Sequence, residues 1–135
     1  MKFLLYADTC IHSLKRNPDV FERLLSRSRA DVAVSVVTEA DLRTEAAKNS
    51  SPSKTGLLLE NFLRPLAVVE FTSPDARAYA QIRAKLERAG TPIGPLDALI
   101  AAQAVSRKLV LVTNNEREFG RVPGLRLENW VGRER

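Results

Sequence analysis

Cysteine, histidine and tryptophan each occur once in the 135 residues. A lone Cys10 excludes an intrachain disulfide and a cysteine-rich zinc centre, and it fits a reducing compartment. The lone His12 lies in a short amphipathic segment, so its ordinary reading is packing or surface. No G-x-G-x-x-G follows the first apolar run and no G-x-x-x-x-G-K-[ST] occurs anywhere, which removes the phosphate cradles of dinucleotide-binding and P-loop proteins. A G-x-S-x-G elbow is absent as well. The longest apolar run, near ALIAAQAV, is far too short to span a bilayer, and the N-terminus reads straight into a strand instead of a cleavable signal. A soluble, intracellular protein that does not engage a membrane is expected. No repeat or dividing linker interrupts the chain, so residues 1–135 are expected to form one domain.

What is present is ordinary globular composition, 44% hydrophobic and 27% charged, with an excess of base. Lys and Arg number 21 against 16 Asp and Glu, for a net charge of +5 and a pI near 9.8. Such a balance favours polyanions such as nucleic acid, although each charge taken singly reads as a solvated face.

Short apolar runs alternate with helical periodicity, the pattern of βα units and a parallel sheet. Strands are predicted near 2–6, 32–37, 66–71, 109–113 and 125–129. Helix starts are predicted at Asn17 before Pro18, at Thr38 with Asp41 three residues on, at Ser73 before Pro74, and at Gly94 before Pro95. A helix over 74–89 would place Ala76, Tyr79, Ile82 and Leu86 inward, with Arg77, Gln81, Lys85 and Arg88 outward. Segments 49–56 (NSSPSKTG) and 89–95 (AGTPIGP) read as loops.

Four acidic or amide positions fall where these strands run out: Asp8, Asp41, Asp97 and Asn115. In an open α/β sheet that edge is where ligands bind, so clustered carboxylates there read as a metal site. Basic surface around an acidic pocket is what a metal-dependent nuclease needs, because the surface holds phosphates while the pocket holds the cations.

The segment GTPIGPLDALIAAQAVSRKLVLVTNNEREFGRVPGLRLENW, residues 90–130, resembles the C-terminal half of VapC toxins, the PIN-domain ribonucleases of bacterial toxin-antitoxin pairs. In that family an Asp in a PxD-x-x-I-A-A context is followed by a strand ending in TNN and then x-E-F. The likeness continues more loosely through ADTCIHSLKRNP and SVVTEADLRTEAAK. It implies a three-layer α/β/α domain with a central parallel sheet of about five strands, Mg²⁺ or Mn²⁺ held by clustered acids, and cleavage of structured RNA. It further implies a VapB-type antitoxin, a homodimer or larger assembly with that antitoxin, and a bacterial cytoplasmic setting. The likeness to enterobacterial members makes tRNA the leading substrate.

Carried over residue by residue, Asp97 matches the helix-opening acid, where the helix dipole favours an ionised carboxylate. Asp41 stands where the family usually has Glu, one methylene longer, and Mg²⁺ tolerates a water in that gap. Thr38 to Asp41 also reads as a plain capping box. Glu45 occupies the family's usual Gly position one turn later, able either to crowd the site or to lend a carboxylate. Asn115, with Thr113 and Glu118 around it, matches the fourth position: the amide would orient a water or an acid, and Glu118 would supply charge. The alternative for Asn114 and Asn115 is simple turn chemistry.

The first motif departs from the pattern. Aligning LLYADTCI with the family's LLD-x-D/N-x-CI puts Tyr6 at the metal-binding aspartate and Asp8 at the second polar position. A phenol with a reference pKa of about 10 is neutral at pH 7 and offers Mg²⁺ no anionic oxygen. Asp8, two residues on, would leave the same strand face about 6–7 Å further along.

The expected machinery is therefore Asp97, Asp41 and Asp8, with Glu118, around one or two cations that polarise a phosphate and activate water. The other reading is a PIN fold that binds RNA or antitoxin without efficient cleavage, because the first carboxylate is missing. A phosphoacceptor receiver domain would need an aspartate ending the third strand, where this chain has Phe71, Thr72 and Ser73.

Overall fold

Strand-forming runs of Phe, Leu, Val and Ala pair as a five-stranded, wholly parallel sheet in a computed structural model that describes residues 1–131. In chain order the elements are β1 (Phe3–Leu5), α1 (Ala7–Leu14), α2 (Pro18–Leu25), β2 (Val32–Ser35), α3 (Val36–Lys48), α4 (Pro52–Leu63) and β3 (Ala67–Val69). They continue with α5 (Ser73–Arg88), α6 (Pro95–Arg107), β4 (Val110–Val112), α7 (Glu116–Phe119) and β5 (Arg126–Glu128). The strand order is β3-β2-β1-β4-β5, with Phe3 in register with Val32 on one side and Val110 on the other. Strand order reverses between β1 and β4, the switch point at which such sheets open a crevice beyond their carboxyl ends.

Alternation along β1 divides the core. Leu4 faces one layer with Ala33, Leu111, Ile82, Leu86, Ile100 and Phe119. Leu5 faces the other with Val32, Val34, Val112, Leu42, Leu59 and Trp130. Helices α5 and α6 cover the first face and α1 to α4 the second, so the expected three-layer α/β/α architecture is what forms. Arg27 stacks over both Phe3 and Trp130, at 5.0 and 4.9 Å, and so covers the second layer's edge.

Helix starts follow short polar caps. Asn17 accepts the N–H groups of Asp19 and Val20, as expected for α2. Four expectations are corrected. Helix α3 begins at Val36 and is capped three residues before Thr38: Ser35, the last residue of β2, accepts the N–H of Val37, and Thr38 lies buried inside the first turn. Helix α5 is capped one residue before Ser73, where Asp75 accepts both the N–H and the hydroxyl of Thr72, at 2.9 and 3.1 Å. The predicted loop 49–56 is cut short because Pro52 opens α4, a position where its missing N–H costs nothing. Ala76 is exposed, and Ala78 packs inward in its place. The expectation of one domain over 1–135 includes residues 132–135, which lie outside the described residues.

Candidate active site

Three chain segments reach the carboxyl ends of β1 and β4 and bring polar groups together there. The first is the turn from β1 into α1. Tyr6 keeps extended backbone geometry as the residue before α1, and its N–H continues the ladder to the carbonyl of Val112 at 3.0 Å. Its side chain lies on Leu4's face of the sheet, where the ring meets Phe119 edge-on at 5.0 Å. The phenol then donates to Oδ1 of Asp97 at 2.5 Å.

Asp8, in the first turn of α1, is fully engaged by the protein. Its Oδ1 accepts the N–H of Thr9 at 2.6 Å and lies 3.2 Å from the Thr9 hydroxyl. Its Oδ2 accepts the hydroxyl of Thr113 at 2.9 Å and the N–H of Asn114 at 3.0 Å. These bonds cross the β1/β4 switch point, so Asp8 ties the two strand ends together.

The second segment is the opening of α6. Gly94 and Pro95 set Asp97 in the first turn, half-buried. Burial raises its carboxyl to about 6, helped by Glu118 and by the charge of Asp41, and opposed by the hydrogen bond from Tyr6. Burial, the bond to Asp97 and the negative charges of Asp97, Asp8 and Glu118 together hold the Tyr6 phenol well above its ordinary range, hence protonated.

The third segment is the β4–α7 turn. The Asn115 side chain accepts the N–H of Glu118 at 3.4 Å and donates through Nδ2 to Glu118 Oε1 at 2.9 Å, while the Asn115 N–H bonds to Thr113 Oγ1 at 3.0 Å. Glu118 Oε2 accepts the N–H of Gly94 at 3.1 Å. A continuous path of hydrogen bonds thus runs from Asp8 through Thr113, Asn115 and Glu118 to the start of α6.

Asp41 stands exposed on α3 and reaches the cluster through its charge on Asp97. Glu45 points elsewhere, into a groove lined by Ile11, Leu14, Leu42 and Leu58 between α1, α3 and α4. Three contributors were invisible in sequence: the N–H of Gly94, the N–H of Asn114 and the ring of Phe119. The Gly-Pro pair before Asp97 signalled a helix start, but the amide's partner lies in a segment 24 residues on.

Does this donor set fit a divalent cation? Among the described residues no group of three or more His, Cys, Asp and Glu stands close enough to hold a metal ion. The chemistry agrees. The first position is a neutral phenol that donates to Asp97, and both oxygens of Asp8 are taken up by four protein groups. What remains, Asp97 beside Glu118 with Asp41 at a distance, does not fit the expected cage.

The arrangement of a five-stranded parallel sheet with acids at its switch point is that of a PIN domain, and the PIN-domain family profile matches residues 6–125. The tRNA(fMet)-specific endonuclease VapC of Salmonella typhimurium is 39% identical over 130 residues, covering 96% of this chain and 98% of that one. Ribonuclease VapC2 of Haemophilus influenzae is 36% identical over 97% of this chain and 99% of its own. The chain belongs to the VapC family. Solved relatives include VapBC2 from Rickettsia felis bound to a promoter DNA fragment, with a TM-score of 0.89 at 32% identity over 96% of this chain and 99% of that one. DNA-bound VapBC from Salmonella typhimurium also scores 0.89, at 41% identity over 96% and 98%.

Proposed function

We propose that the chain is a VapC-type toxin, an endoribonuclease directed at structured RNA with tRNA as its substrate class. The observation that carries this reading is the match, at 39% identity over 96% of the chain, to a relative named as a tRNA(fMet)-specific endonuclease. The site supplies Asp97, whose carboxyl is pushed up to about 6 by burial, into the range where a group can exchange a proton near neutral pH in acid–base catalysis. Asp8, Thr113 and Asn115 position the surrounding turns. The excess of Lys and Arg holds the RNA backbone. A VapB-type antitoxin neutralises the toxin in the bacterial cytoplasm, and the two associate as a homodimer-based assembly. No helix among the described residues is long and apolar enough to cross a membrane.

One observation favours a second reading, in which the protein binds RNA and antitoxin but cleaves poorly. The Tyr6 phenol occupies the family's first carboxylate position. Positioned acid–base groups alone contribute about 10²–10⁴-fold, far below what a metal-assisted phosphodiesterase reaches.

Cleavage of tRNA by the purified chain, by Tyr6→Asp and by Asp97→Asn separates the two. Cleavage by the natural chain that Asp97→Asn abolishes supports the nuclease. Cleavage by Tyr6→Asp alone supports the binding protein. Failure of all three to bind or cut RNA rejects both.

A further inference from the structure

We propose that the Tyr6 hydroxyl takes the place of a cation at Asp97, so that the acidic pocket is closed by a neutral donor and does not take up Mg²⁺ or Mn²⁺. This goes beyond the functional reading and does not depend on it, since it concerns the empty protein and no RNA.

The argument starts from charge. A carboxylate at position 6 would stand against Asp97, with Glu118 flanking the same helix start, and three anions at such a place need a cation to offset their repulsion. Tyrosine removes one of those charges and brings a proton. Its O–H satisfies Oδ1 of Asp97 at 2.5 Å. Glu118 is satisfied separately, by the N–H of Gly94 and the Nδ2 of Asn115. Asp8 has donors on both oxygens. Each acid whose oxygens a cation would need therefore has a donor from the protein, Asp41 excepted, and Asp41 lies out on α3.

Geometry makes the closure firm. Mg²⁺ binds oxygen at about 2.0–2.1 Å, so an ion approaching Oδ1 would meet the phenol that already donates there. The phenol is not free to leave. Its ring lies edge-on to Phe119, which is 0% exposed, and its backbone is hydrogen-bonded into the sheet at Val112. Moving it aside would break an aromatic contact at the core boundary as well as the bond to Asp97.

Calorimetric titration of the purified full-length chain with MnCl₂, without RNA, tests this, with the Mn²⁺ electron paramagnetic resonance signal as a second readout. Tyr6→Asp is expected to bind Mn²⁺ at least about tenfold more tightly than the natural chain, with Asp97→Asn removing that gain. Equal affinity in the natural chain and Tyr6→Asp overturns the proposal. Should Tyr6→Asp fail to fold by circular dichroism, the natural chain decides alone: a saturable Mn²⁺ isotherm that Asp97→Asn abolishes overturns the proposal, and the lack of any such isotherm sustains it.

Discussion

Oδ2 of Asp8 accepts the hydroxyl of Thr113 at 2.9 Å, joining residues 105 positions apart across the seam where the sheet reverses its strand order. The same oxygen takes the N–H of Asn114, so one carboxylate fixes the exits of both β1 and β4.

Replacing Asp8 with Ala leaves these donors without a partner, one of them the fully buried hydroxyl of Thr113. A loss of about 2–3 kcal/mol is expected from urea unfolding, with Asp8→Asn recovering part of it. A loss under about 0.5 kcal/mol would show that the clasp adds nothing to stability.

Tyr6→Phe keeps the edge-on contact with Phe119 and deletes only the bond to Asp97. Hydrogen bonds to charged acceptors contribute about 1.5–3 kcal/mol, and solvent access at this half-buried pair lowers the expected loss to about 1–2 kcal/mol. A double-mutant cycle with Asp97→Ala should return a coupling of similar size. Additive effects would mean that the bond does not form in solution.

Burial pushes the carboxyl of Asp97 up to about 6 in the folded protein, against an ordinary 3.8. A raised folded value means that the native state holds the proton more tightly than the unfolded chain. Asp97 therefore makes stability fall as pH rises from about 4 to about 6, with no further change above. After allowance for solvent the effect is on the order of 1 kcal/mol. Melting curves at several pH values should show it, and Asp97→Asn should flatten that interval; an unchanged slope in the variant would assign it to another group.

Asp75 pulls the other way. Burial would raise its carboxyl, but hydrogen bonds from Ser106 at 2.5 Å, from Thr72 and from Arg107 at 3.0 Å lower it below its ordinary value. Its contribution is present above about pH 4 and is lost as acid protonates it. The side chain is 0% exposed, so Asp75→Ala removes the partner of Ser106 and of the Thr72 N–H, while Arg107, 30% exposed, keeps the Glu70 carbonyl; a cost of about 2–3 kcal/mol is expected by urea unfolding. With Asp97, this places greatest stability near pH 4 at these two sites, with a decline toward about pH 6.

The sheet was readable because buried parallel strands are written as short runs such as FLL, VAV and VLV, and each predicted strand overlaps an observed one. Helix boundaries read less well. Ser-Ser-Pro-Ser looks like a turn, yet Pro52 tolerates the first helical turn and α4 starts there. Thr38 reads as a cap because threonine is a good one, while Ser35 is hidden as the end of a strand. At the site, Asp97 could be named from its own surroundings. The partners of Asp8 and Tyr6 could not, because their donors and acceptors lie 91 to 106 residues away and meet only in the folded sheet.

That separation governs how the molecule comes into being on the ribosome. β1 sits at the centre of the sheet, but the strand that pairs with its second edge, β4, is made last but one. At about 5–20 residues per second, the nascent polypeptide spends seconds with that edge unpaired, exposing a hydrophobic ribbon able to pair with other chains. A translation product ending before Val110 would therefore be an aggregating fragment and not a weaker version of the whole.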